Sequence, residues 1–143
     1  MPHDIRKLSR DWFEIVWNQK DDSGIGRLAA SDVVVHGLDE SGNPQKGTDL
    51  FKKFRRAFLS AFPDIHVDVE DVLVESDKTA IRLKFSGTHT GEGIAIPPTG
   101  RKFVATAIVI VRWRDGKIAE SWNEFDATGM MRQLQSPVAK LRP

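Results

Sequence analysis

The feature that most restricts how this chain can fold is a two-residue turn between two strand-like runs. Residues 103–113 read FVATAIVIVRW, apolar at nearly every position, so both faces of such a strand should be covered. Residues 114–117 read RDGK, with Asp115-Gly116 at the centre, the pair that suits a type I′ hairpin turn. The return strand is IAESWNEFD, residues 118–126. A two-residue turn sets the register by counting: Arg114 faces Lys117, Trp113 faces Ile118, Val109 faces Trp122, Ala107 faces Glu124 and Ala105 faces Asp126. Directly opposed residues share a face of the sheet. The count therefore sets Glu120, Trp122, Glu124 and Asp126 beside small or apolar partners, and Arg112 on the opposite face. That is the wrong company for a solvated row of acids. Ala105 and Ala107 leave room where larger side chains would fill it, so the expected reading is a cavity with an indole and carboxylates on its wall.

The remainder of the chain supplies what would close such a cavity. Ile5, Leu8, Trp12, Ile15 and Val16 recur at helical spacing. A short helix through GIGRLAA and a strand at VVVHG, residues 33–37, follow. Thr48 stands where it can cap a helix whose Leu50, Phe51, Phe54, Ala57, Phe58 and Ala61 form one apolar face, ended by Pro63. From Ile65 the period changes to two, through strands at about 65–75 and 79–89 joined by the turn ESDK. The loop TGEGIAIPPTGR then leads into the hairpin and reads as a rim or lid over the pocket. Helices first and an antiparallel meander after them define an α+β class, with the helices on one face of a curved sheet. Its 143 residues are expected to form one domain, residues 1–143.

Composition narrows the function classes. A formal net charge of +1 offers no electrostatic footprint for nucleic acid. With no cysteine there is no disulfide and no thiolate metal site, and the four histidines (His3, His36, His66, His89) lack metal-binding spacing. No apolar run approaches a membrane span, and the first residues, MPHDIRKLSRDW, lack the apolar core of an export signal. The expectation is a cytoplasmic protein without a metal site, with neither nucleic acid nor membrane as partner.

The segments AFPDIHVDVEDVLVESDKTAIRLKFSGTHTGE, IPPTGR and DGKIAESW, with Asp126 and the Gln-Leu pair at 133–134, resemble the SnoaL-like polyketide cyclases. That family shares its fold with nuclear transport factor 2, scytalone dehydratase and ketosteroid isomerase. The resemblance runs from about residue 47 to 135 and implies a cone-shaped α+β barrel around an apolar pocket. It also implies an intramolecular aldol cyclisation of an aromatic polyketide ester, without cofactor or metal. The Asp that ends the family's W-x-x-x-D stretch acts as general acid and base there, and it maps onto Asp126.

Asp126 thus has two readings: catalytic base, or N-cap of the final helix. Trp122 is expected as pocket wall, with Glu124, His36 and His89 as substrate-binding residues around an apolar carbonyl compound. Two rival functions use the same fold. One is a small-molecule-binding or dimerisation module without turnover, and the other a dehydratase or hydrolase using the same carboxylate. Ile108 and Ile110, on the face away from the cavity, predict a homodimer through the outer sheet.

Overall fold

The computed structural model describes residues 3–135. The chain starts with a helix, α1 (Ile5–Trp12), capped by the Asp4 side chain, which accepts from the Lys7 amide. It continues as a π-helical stretch, Phe13–Asn18, a looser winding that holds Phe13, Val16 and Trp17 in the core. After α2 (Ser23–Leu28) come β1 (Ala29–His36), the two-residue β2 (Gln45–Lys46) and α3 (Asp49–Ala61). Thr48 occupies the N-cap position of α3, but its hydroxyl makes no capping bond there. The buried Arg55 of α3 fastens the helical layer, donating from Nε to the Val16 carbonyl (3.0 Å) and from Nη1 to Asp22 (2.7 Å).

Four long strands follow: β3 (His66–Glu75), β4 (Lys78–Thr88), β5 (Lys102–Arg114) and β6 (Lys117–Phe125), then α4 (Ala127–Gln135). They join β1 and β2 in one six-stranded sheet of order β2-β1-β6-β5-β4-β3, antiparallel throughout except where β1 runs parallel to β6. The sheet is strongly curved and does not close into a barrel. Register irregularities interrupt three of its ladders, between Val69 and Asp71, between Arg112 and Trp113, and along β1. Each bulge adds bend and twist, which is how a short sheet wraps a core. The concave face holds the alternate residues Ile81, Leu83 and Phe85 of β4 and Ala105, Ala107, Val109 and Val111 of β5, all buried.

The hairpin turn is the one expected: Asp115 (φ 53°) and Gly116 (φ 76°) both adopt the left-handed conformation of a type I′ turn. Its first two pairs, Arg114 with Lys117 and Trp113 with Ile118, also match. Beyond them Arg112 pairs with Glu120, so Ala119 is an extra residue in β6. From there the strand is one position out of the counted register: Ile110 faces Trp122, Ile108 faces Glu124 and Ala107 faces Phe125. A slip of one residue moves a whole side-chain row to the other face. Arg112 accordingly shares a face with Glu120 rather than opposing the carboxylate row.

Where β6 ends, α4 takes over its hydrogen bonding. The Asp126 amide donates to Thr106 O (3.0 Å), and its carbonyl accepts the first helical bond, from Met130 (3.0 Å). Further along, the Gln133 amide accepts from Val104 N and donates to Val104 O, both at 2.9 Å, supplying the partners a longer strand would have provided.

Candidate active site

A cavity opens between the concave face of the sheet and the helices. Its interior volume is about 110 Å³. One wall is aromatic: Trp12, Phe13 and Trp17 from the first helical segment, and Phe51, Phe54 and Phe58 from α3. The rings form a continuous edge-to-face and stacked array, with Phe54 on Phe58 (4.6 Å) and Trp17 against Phe51 (6.0 Å). The opposite wall is the sheet, with Ala107, Val109 and Val111 of β5 and Leu83 and Phe85 of β4. The alanine expected to leave space does so at Ala107.

Against this apolar lining the polar groups are few. Ser121 and Asn123 alternate with Phe125 on the inner face of β6, and Thr48 lines the wall at the start of α3. Asn123 donates from Nδ2 to the His36 carbonyl (2.9 Å) and to Ser121 Oγ (3.1 Å). It is held there because β1 approaches β6 closely at its end. A Cβ on Gly37 would lie 2.1 Å from the Asn123 carbonyl oxygen, so the contact requires glycine, as does its φ of +90°.

The residues proposed from the sequence separate into three places. Glu124 is the one that reaches the cavity lining; it is exposed, at the mouth, opposite the exposed Ile108. Trp122 and His36 are brought together, but on the convex side. Their rings stack at 5.2 Å and 3°, and Lys78 Nζ lies 5.5 Å over the indole. There His36 Nε2 donates to Glu120 (2.7 Å), which also accepts from Arg112 (3.3 Å). These partners, His36 first, hold the Glu120 carboxyl below its ordinary value despite partial burial.

Asp126 lies outside the cavity lining as well. It is exposed, and its Oδ1 accepts from the Gly129 amide (2.8 Å), the bond of a helix N-cap. His89 sits elsewhere again. It is fully buried against Phe62 (5.4 Å), and its Nδ1 accepts from the Thr99 amide (3.2 Å), so it staples the 89–101 loop to itself. That loop is no lid: it runs along α3, with Gly91 N donating to Ala61 O (3.1 Å), and contributes nothing to the cavity lining. Among the described residues no three His, Asp or Glu side chains gather as a metal site, and no helix is long and apolar enough to cross a membrane.

The polar pair Ser121 and Asn123 escaped the sequence reading because the counted register turned that face outward. The signal that could have found it is the adjacent apolar pair Ile118-Ala119, both buried, where strict alternation allows only one.

The model of the SnoaL-like polyketide cyclases matches residues 7–134, which include every wall of the cavity. The chain belongs to that family. Aklanonic acid methyl ester cyclase DnrD of Streptomyces peucetius is 34% identical over 98 residues, covering 66% of this chain and 67% of its own length. A second such cyclase, DauD of Streptomyces sp. strain C5, is also 34% identical over 98 residues, but the chain spans only 60% of its length. Among solved structures, wild-type IdmH of Streptomyces antibioticus superposes with a TM-score of 0.81 at 31% identity, covering 92% of this chain and 99% of its own. The SnoaL-like frame accounts for the open, curved sheet and the helices across its mouth.

Proposed function

We propose that this SnoaL-like protein binds a polyketide-like aromatic carbonyl compound in the cavity and closes a ring on it by an intramolecular aldol reaction. The observation that carries this reading is the cavity itself, aromatic on one wall, aliphatic on the other, with three polar residues of one strand, Ser121, Asn123 and Glu124, in its lining. Flat apolar substrates bury well between such walls, and two relatives are named as aklanonic acid methyl ester cyclases. In the reaction a carbon between two carbonyls loses a proton, and the resulting enolate carbon attacks a second carbonyl carbon. The alkoxide formed there takes a proton back, so nothing is oxidised or reduced. The cavity contributes by excluding water and folding the chain into a near-attack geometry. Of the carboxylates considered, Glu124 alone reaches the lining, and it is the proton acceptor in this reading. Asp126 keeps a structural role.

The exposed side chains of Ile108 (51%) and Ile110 (40%), beside the Trp122–His36 stack, support assembly of a homodimer through the convex face.

The test is to incubate the protein with aklanonic acid methyl ester and follow the ring-closed isomer by chromatography and NMR. Wild type should accelerate closure over buffer, and Glu124→Gln should slow it about 100-fold or more. Saturable binding without any acceleration would overturn the enzyme reading in favour of a binding module.

A further inference from the structure

We infer that the Ser121–Asn123 pair is a hydroxyl-recognition subsite, selecting ligands that present a phenolic or enolic O–H into the cavity. The inference rests on the cavity being the ligand site of the proposed function, and the orientation of one amide decides what that cavity presents. A backbone carbonyl can only accept, so the group of Asn123 that meets His36 O at 2.9 Å must be the NH₂. Its second hydrogen goes to Ser121 Oγ at 3.1 Å. Both amide donors are therefore spent inside the protein. Asn123 Oδ1 is left with no protein partner among the described residues, on a residue that lines the cavity.

The same accounting applies to Ser121. Its Oγ accepts from Asn123, and no described group accepts its hydrogen, although the residue is buried in the cavity lining. A hydroxyl group has one donor and two acceptor positions. The cavity thus presents one acceptor (Asn123 Oδ1) and one donor (the Ser121 hydroxyl), bridged by a hydrogen bond and neighbours on one strand. A ligand hydroxyl satisfies both at once, giving its hydrogen to Asn123 and taking one from Ser121. A ketone or ether oxygen satisfies only Ser121 and leaves Oδ1 desolvated without a partner. An unpaired buried acceptor is the more costly half of that comparison. In the aldol reaction the same pair would hold the enol form of the reacting dicarbonyl in preference to the keto form.

The experiment compares 2-hydroxyanthraquinone with 2-methoxyanthraquinone, two flat compounds that differ in the O–H and carry no reacting methylene. Binding is read by quenching of Trp12 and Trp17, which line the cavity. Wild type should bind the hydroxy compound about tenfold or more tightly than its methyl ether, the discrimination expected when a buried polar group loses its partner. Asn123→Ala should lower the affinity for the hydroxy compound to that for the ether. Ser121→Ala, which leaves the His36 anchor of the amide in place, should keep part of the preference. Equal wild-type affinities for the two compounds, or an undiminished preference in folded Asn123→Ala, would overturn the subsite while leaving the cyclase reading standing. Absence of binding by either compound would overturn both the subsite and the cavity as ligand site. If Asn123→Ala fails to fold, the wild-type pair of affinities still decides the matter.

Discussion

Replacing Asp126 separates the two roles that a carboxylate at the start of a helix can have. Its Oδ1 accepts from Gly129 N at 2.8 Å, and a Cβ on residue 129 would lie only 2.1 Å from Oδ2, so the carboxylate folds over the bare glycine. Asp126→Asn keeps an acceptor in that place. What it loses is the charge near the helix start, worth a few tenths of a kcal/mol at an exposed position, or about 1 °C in Tm for a domain of this size. Asp126→Ala removes the cap itself, about 1 kcal/mol or roughly 3–4 °C, because Met130 and Leu134 still pack α4 into the core. Since neither variant touches the cavity lining, ring closure should proceed within about threefold of wild type in both. Removal of a true general base costs about 100- to 10,000-fold. Thermal melts by circular dichroism and the ring-closure assay, run on the same preparations, give the two quantities. An Asp126→Asn protein that melts like wild type yet turns over a hundredfold more slowly would refute the capping account and make Asp126 the proton acceptor.

Gly37→Ala should destabilise the protein by about 2 kcal/mol or more, because the new Cβ meets the Asn123 carbonyl at 2.1 Å on a backbone with φ +90°; a denaturation midpoint equal to wild type would contradict that close approach. Glu120→Gln tests the convex-side cluster through pH. The carboxyl of Glu120 is held below its ordinary value of 4.5 by His36 and Arg112, so its contribution is present above that pH and is lost as pH falls through the lowered value. The Tm gap between wild type and variant should therefore be largest near neutrality and close in acid, and a gap independent of pH would remove the ion-pair explanation. Ile110→Lys should convert the proposed homodimer to monomer in sedimentation without changing the melt of the monomeric fold; a wild-type chain that is already monomeric at micromolar concentration would end the dimer proposal.

What the sequence made legible follows from which inferences depended on one strand and which on several. The element order, the type I′ turn and the apolar faces of α3 and β5 each rest on local chemistry, and the structure shows them where that chemistry puts them. The cavity was legible for the same reason. The inward face of β5 follows from the alternation within β5, and Ala107 is small whichever residue of β6 lies opposite it. The site was different, because the faces of the β6 residues were propagated from one turn by counting, while the role of Asp126 came from the family resemblance. A count from a hairpin holds only as far as the first bulge. Here that bulge comes two pairs beyond the turn, at Ala119, so Glu120 and Trp122 turned outward, Glu124 was left at the cavity's rim opposite Ile108, and Ser121, Asn123 and Phe125 took the inner side. His89 was misplaced by another route. A histidine at the mouth of a Gly- and Pro-rich loop suggests a mobile rim, but this loop lies flat on α3, and at Gly91 it comes so near that a Cβ would sit 1.9 Å from the Ser60 carbonyl. Such a backbone contact leaves no periodicity for a sequence to display. Ile118 and Ala119, two consecutive residues that are both buried, were the one visible sign of the slip. Taken as a bulge, that pair alone would have turned Ser121 and Asn123 inward and left Glu124 as the one carboxylate of the row at the cavity's rim.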